Sequence, residues 1–213
     1  QLFAFILLVS GFAFKISAVP FHLWTADVYE GAPVAVTAFL SVVSKAAVLF
    51  TFTTILYKVF APIASVWYGV LVVLSIATIL IGNLFALRQD NFKRFLAFSS
   101  IAQVGFILIG ISGSSQAGSA SLVYFVLIYV FSNLAAFGVV SVVSALAGKE
   151  NISDFKGFYK TNPFLSWVLT IALFSLAGVP PTAGFFGKLF LMMAGAAKDN
   201  YGLIIFASLN MVV

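Results

Sequence analysis

Seven apolar runs, most of them long enough to cross a bilayer, follow one another along this chain with only short polar breaks between them. A helix rising ~1.5 Å per residue needs about 20 apolar residues to cross a hydrocarbon core ~30 Å thick. The expected fold class is therefore all-α: a polytopic membrane helix bundle. Composition agrees, since 62% of residues are apolar and 8% charged, whereas soluble domains carry about 25% charged residues.

The same composition removes several chemistries. No cysteine occurs, which excludes disulfides, iron–sulfur clusters and cysteine zinc sites from this chain. His22 is the one histidine, so no multi-histidine metal or haem site is expected. The net charge of +5 sits mostly in short loops beside apolar spans, where cations set membrane orientation, so nucleic acid is not an expected partner.

In order, the first run extends from before Leu2 to about Tyr29, is interrupted at Pro20, and closes on acidic Asp27 and Glu30. Later runs cover 33–58, 62–87, 95–111, 120–147 and 164–197, and another begins near Tyr201. SGSSQAGS reads as a tight hairpin turn. GKENISDFKGFYKTNP is the most polar segment, with Phe155, Phe158 and Tyr159 spaced for a short amphipathic turn at the headgroups. One transmembrane domain, 1–213, thus divides into 1–58 (the first broken helix and the helix after it), 62–147 (three spans), an interfacial loop 148–162, and 163–213 (a second broken helix and the start of the next span). Gln1 and Val213 both lie in apolar runs, so the chain is expected to be a fragment truncated at both ends.

Loops after the first, third and fifth runs share one side and carry six cations: Arg88, Lys93, Arg94, Lys149, Lys156 and Lys160. The opposite side holds two, Lys58 and Lys198. The positive-inside rule puts the first set in the cytoplasm.

Lys15, Lys45 and Lys188 remain, each inside an apolar run. A lysine at the centre of a membrane helix costs ~2.5 to 3.5 kcal/mol on insertion scales, so three of them call for a function. Lys45 follows Pro33 by 12 residues and Lys15 precedes Asp27 by 12, which at helical rise sets each ~18 Å from that surface, near the midplane. Lys188 precedes Lys198 by 10 residues, or ~15 Å from the other surface. Two runs contain Val-Pro breaks after small residues, SAVP at 17–20 and AGVP at 177–180. Broken helices expose backbone groups that need a hydrated or protein-filled interior, and paired breaks are typical of inverted-repeat transporters. Asn83, Gln103 and Asn133 are read as interhelical hydrogen-bonding residues, and Trp24, Trp67 and Tyr68 as interfacial anchors.

FKISAVPFHLWTADVYEGAPVAVTAFLSVVSK, KRFLAFSSIAQVGFILIG and FSLAGVPPTAGFFGK together resemble the antiporter-like, proton-pumping subunits of respiratory complex I, and among them subunit N of bacterial NADH:quinone oxidoreductase. The resemblance covers essentially the whole chain. It implies an antiporter-like inverted-repeat fold. It also implies a proton relay of Lys15 on the first broken helix, Lys45 on the next helix and Lys188 on the second broken helix, with His22 as a further bridging group. Lys188 stands where subunit M carries glutamate, and Ala26 replaces the proline usual in WTPDVY. The glutamate partner of Lys15 lies, by the resemblance, on an earlier helix outside this sequence.

The function so implied is a translocase subunit of NADH:quinone oxidoreductase in the bacterial inner membrane, in contact with lipid and with neighbouring membrane subunits. No cofactor or metal is expected in this chain; NADH, FMN, iron–sulfur clusters and quinone belong to the whole complex. The alternatives are a subunit of a multisubunit sodium/proton antiporter and a purely structural membrane scaffold.

Overall fold

The computed structural model describes residues 1–196 and 198–211. Helices α1 (Leu2–Ile16) and α2 (Leu23–Gly31) form the first broken helix. The next span is α3 (Val34–Phe39), a π-helical turn over Leu40–Ser44, and α4 (Lys45–Lys58). Helices α5 (Ala64–Ala86), α6 (Phe92–Ser112) and α7 (Gln116–Ala147) follow. A polar loop containing the single turn α8 (Phe158–Thr161) leads to the second broken helix, α9 (Pro163–Ala177) and α10 (Ala183–Ala196). Helix α11 (Tyr201–Asn210) closes the described chain. Among the described residues no strand forms, and four helices are long and apolar enough to span unaided: Val34–Lys58, Ala61–Ala86, Phe92–Ser112 and Gln116–Ala147. The chain is an all-α integral membrane protein.

The bundle is built around α6. Its flank packs along α5, and α2, α7 and α10 close on its other sides. Almost every residue from Leu96 to Ser112 is buried. The other helices carry the outward apolar surface, with Phe3, Val73, Phe131, Leu146, Phe164 and Ile205 among the exposed residues. Local chemistry starts the helices where expected. Asn91 Oδ1 accepts from the Lys93 and Arg94 amides at the start of α6, Ser115 Oγ from Gly118 N at α7, and Asn162 Oδ1 from Leu165 N at α9. Each side-chain oxygen thereby satisfies helix-end donors that have no intrahelical acceptor.

The three loops assigned to one side by their charge do meet at one end of the bundle. Phe92 N donates to Glu150 O at 2.8 Å, and Ile152 N to Asp90 O at 2.8 Å. Arg94 donates to both Asp27 and Glu30 at 2.7 Å. Lys93, its side chain 6% exposed, pairs with Glu150 at 3.0 Å and reaches Ala32 O at 3.4 Å. Phe155 and Phe158 lean on the core, the Phe155 ring 4.9 Å from that of Phe92, whereas Tyr159 stays exposed. The single amphipathic turn expected over these residues is split: Phe155 ends a 3-10 turn over Ile152–Phe155, and Phe158 and Tyr159 lie on α8, beyond the left-handed Gly157.

Three expectations need correcting. Trp67 is no interfacial anchor: it is 1% exposed, stacks on Tyr57, and donates Nε1–H to Phe60 O, because the short 59–63 connection folds over it. Asn133 bonds within its own helix, to Tyr129 O, whereas Asn83 and Gln103 do reach other helices, at Asn210 O and Leu176 O. The depth of Lys15 cannot be counted by helical rise to Asp27, since 17–22 are not helical.

Candidate functional site

Both breaks start at a left-handed residue, Ser17 (φ 66°) and Gly178 (φ 82°). Counted from these, Pro20 corresponds to Pro181, so the internal match is shifted by one residue from the SAVP/AGVP pairing. Each break exposes backbone groups that neighbours satisfy. At the first, Val19 N donates to Thr78 Oγ1 on α5 (3.0 Å), Trp24 Nε1 to Phe14 O (3.0 Å), and Thr25 Oγ1 to Ser17 Oγ (2.6 Å). At the second, Gln103 Nε2 of α6 donates to Leu176 O (2.8 Å) and Lys188 Nζ to Ala177 O (3.1 Å). Ser132 of α7 donates to Ser175 Oγ at 2.7 Å.

The three lysines occupy different surroundings. Lys45 is 1% exposed; its ammonium donates to Ser100 Oγ at 2.7 Å and lies 5.7 Å from the centre of the Tyr29 ring. Ser100 in turn donates to Ala97 O at 2.8 Å. Lys188 is 4% exposed, bonded to Ala177 O and seated 4.6 Å from the centre of the Phe106 ring. Among the described residues neither forms an ion pair. Carbonyl and hydroxyl acceptors and aromatic faces therefore supply what counter-charge they have. Lys15 is at the surface of the described chain, beside Leu7, Leu8, Gly11, Phe12 and Val48, again without an ion pair among the described residues. His22, 8% exposed, lies in the first break just ahead of α2, and its Nδ1 takes no partner among the described residues.

Helix α6 joins the two buried lysines. Ser100 holds Lys45, Gln103 holds the end of α9, and Phe106 lies under Lys188. Each step of three residues falls about 60° short of a full helical turn, so this trio sweeps about 120° around α6 while climbing ~9 Å. One helix thus presents the Lys45 side of the bundle and the Lys188 side in succession. Lys188 and Gln103 also line a cavity of ≈ 710 Å³ between α5, α6, α9, α10 and α11, to which Asn83, Ser99, Ser208 and Asn210 contribute polar groups.

Residues not foreseen from the sequence complete the Lys45 side. The π turn over Leu40–Ser44 immediately precedes Lys45, and such a turn leaves a carbonyl outside the α-helical pattern. Tyr129 of α7 donates its hydroxyl to that segment at Ser41 O (3.0 Å) and takes Ser41 Oγ as a donor (3.1 Å). A tyrosine in the middle of the 120–147 apolar run was the available signal. Tyr29 OH is buried without a partner among the described residues, close to the same group. Such an arrangement can hold a proton on an uncompensated ammonium and pass it among hydroxyls and water. It offers no nucleophile–base pair, and among the described residues no group of carboxylates or imidazole that would hold a metal.

Comparison with known proteins fits this geometry. The whole chain, residues 1–213, matches the family described as NADH:quinone oxidoreductase/Mrp antiporter, TM. It is 53% identical over 210 residues to NADH-quinone oxidoreductase subunit N of Azobacteroides pseudotrichonymphae, covering 98% of this chain and 44% of the relative. To the subunit N of Phocaeicola vulgatus it is 49% identical, covering 100% of this chain and 45% of the relative. The chain therefore spans under half the length of these relatives. Among solved structures, a chain of the Mrp complex from Dietzia superposes with a TM-score of 0.89 at 26% identity, covering 97% of this chain and 39% of that one. A chain of respiratory complex I from Thermus thermophilus gives 0.81 at 31% identity, covering 96% and 45%. Full-length family match, close relatives and shared fold agree that the chain belongs to the NADH:quinone oxidoreductase/Mrp antiporter transmembrane family.

Proposed function

We propose that this chain is part of a proton-translocating membrane subunit of a respiratory NADH:quinone oxidoreductase, in which protons cross on a relay of Lys15, Lys45 and Lys188 joined by water and hydroxyl groups. The observation that carries the reading is the pair of lysines, 1% and 4% exposed, held in an apolar bundle with no carboxylate partner among the described residues. Burial disfavours a charged ammonium and an approaching carboxylate favours it, so a movable acid beside Lys15 would switch its hold on a proton. Lys45 is the central station, bonded to Ser100, and Lys188 the terminal one, bonded to a carbonyl of the second break. His22, at the first break, bridges water toward Lys15 or Lys45.

The redox chemistry of NADH, FMN, iron–sulfur clusters and quinone lies in other subunits, and other membrane subunits, including antiporter-like neighbours, are the partners. The bacterial inner membrane is the expected location, with the loops that carry Lys93 and Arg94 toward the cytoplasm.

The test is NADH-driven proton uptake by liposomes containing the whole complex, native against Lys15→Met. Methionine keeps the length and removes the charge. Loss of uptake in an assembled complex supports the relay; unchanged uptake and turnover return Lys15 to a structural role. A second reading, a sodium/proton antiporter subunit of the multisubunit kind, draws on the 0.89 TM-score to the Mrp chain. It predicts ion exchange driven by a sodium gradient in vesicles without any electron donor, which the first reading does not.

A further inference from the structure

We propose that Gln103 is the positioning residue for Lys188: its amide holds the loose end of α9 so that the neighbouring carbonyl, Ala177 O, is presented to the Lys188 ammonium. The inference rests on the lysine-relay reading above and goes beyond it by assigning the group that sets one station's geometry.

Gln103 lies on the buried face of α6, 4% exposed, far from any loop. Its Nε2 donates to Leu176 O at 2.8 Å, and the next carbonyl along, Ala177 O, takes the Lys188 ammonium at 3.1 Å. These are successive carbonyls at the end of α9, where the chain enters the left-handed Gly178 and leaves the helix. The last carbonyls of a helix lack intrahelical donors, and in a membrane interior no bulk water replaces them. One is thus satisfied by a side chain of α6 and the next by the lysine. The amide orientation follows from the network, because a flipped Gln103 would set acceptor against acceptor at Leu176 O.

The other half of the amide strengthens the assignment. Gln103 Oε1 is buried and accepts no hydrogen bond among the described residues. A buried acceptor left unpaired costs about 1 to 3 kcal/mol, so an amide here is a poor choice for packing alone. A methionine or leucine would fill similar space without that cost. Gln103 also lines the ≈ 710 Å³ cavity in which, among the described residues, Lys188 is the one titratable lining residue. On α6 it stands between Ser100, which holds Lys45, and Phe106 beneath Lys188. A second buried lysine, Lys45 on α4, meets α6 three residues earlier, at Ser100.

The experiment uses the whole complex in liposomes and follows NADH-driven proton uptake per electron against pH for native protein, Gln103→Met, Gln103→Glu and Lys188→Met. A protonated glutamate keeps an O–H donor for Leu176 O, whereas the ionised form repels that carbonyl and fixes positive charge on Lys188. Uptake in Gln103→Glu should therefore be near native at the acid end and fall about five-fold or more as pH rises, and Gln103→Met should be low throughout. Gln103→Glu and Gln103→Met pumping with the native pH profile, while Lys188→Met abolishes pumping, would overturn the positioning role and leave the relay standing. Native pumping by Lys188→Met would instead overturn the relay reading itself. If Gln103→Met does not assemble, the pH profile of Gln103→Glu decides alone: a native profile overturns the proposal and a fall on the alkaline side upholds it.

Discussion

The two broken helices are built on one plan and braced in opposite ways. Each starts with a left-handed residue followed three positions later by proline, Ser17 to Pro20 and Gly178 to Pro181. The first carries its lysine before the break, in the last turn of α1, on the open flank of the described chain. The second carries its lysine after the break, buried, and uses the ammonium itself as a brace on Ala177 O. The first break is tied by neutral side chains, Thr78, Trp24 and Thr25, none of which is hydrogen-bonded to the Lys15 side chain among the described residues. A lysine free of its break can answer to a partner outside, whereas one bonded to its break must move together with it. In the relay proposed above, Lys15 would be the responsive station and Lys188 the fixed one.

The largest effect that would break this comparison is expected at Gly184. A Cβ there would collide with the Ser175 carbonyl, which is rigid backbone across the second break. Gly184→Val should cost about 3 kcal/mol or more and abolish assembly, whereas Gly11→Ala in α1, where a Cβ meets nothing within 4 Å, should leave assembly intact. Yields of assembled complex after membrane extraction decide it. Next comes Thr78→Val, which leaves Val19 N without its acceptor. A loss of about 1 to 3 kcal/mol is expected in thermal unfolding of the extracted complex, with Lys188-dependent steps unchanged. A smaller contrast lies at the left-handed positions. Gly178→Ala introduces strain and a Cβ 3.1 Å from Lys188 Cδ, so it should destabilise by about 1 kcal/mol or more and slow pumping. Ser17→Gly relieves a left-handed residue but loses the acceptor of Thr25, and should come out within about 1 kcal/mol of native.

The smallest effect belongs to the latch at the loop end. Burial pushes the Glu150 carboxyl up, but the Lys93 ammonium and the Ser144 hydroxyl outweigh it and hold the group below the ordinary carboxylate range. A lowered acid contributes stability above its unfolded range and loses it as pH falls through the lowered one. Glu150→Gln should therefore flatten the acid side of the stability curve and leave the buried Lys93 without its counter-charge at neutral pH. Melting temperature against pH for the two complexes checks both halves.

Much of this was legible in the sequence because hydropathy and proline act locally. Run lengths placed the helix ends to within about four residues, and Pro20 with the Pro180–Pro181 pair marked both breaks. The centrality of α6 was not legible, since its run is no more apolar than its neighbours and only tertiary packing decides which helix is surrounded. The π turn before Lys45 was equally hidden, because nothing in Leu40–Ser44 demands it; it is held by Tyr129, from a helix much later in the chain. Lys93 and Arg94 were read as orienting charges. Their partners come from two other stretches, Asp27 and Glu30 from α2 and Glu150 from the loop after α7, and only the folded bundle brings these together.

The central claim is that the buried lysines on either side of α6 carry protons. The most direct measurement is the proton uptake per electron pair of the whole complex in liposomes, native against Lys45→Met, with NADH oxidation followed in the same vesicles. The account predicts an assembled complex whose uptake falls together with coupled turnover, because the station between Lys15 and Lys188 is gone. Native uptake and native turnover in Lys45→Met would contradict it.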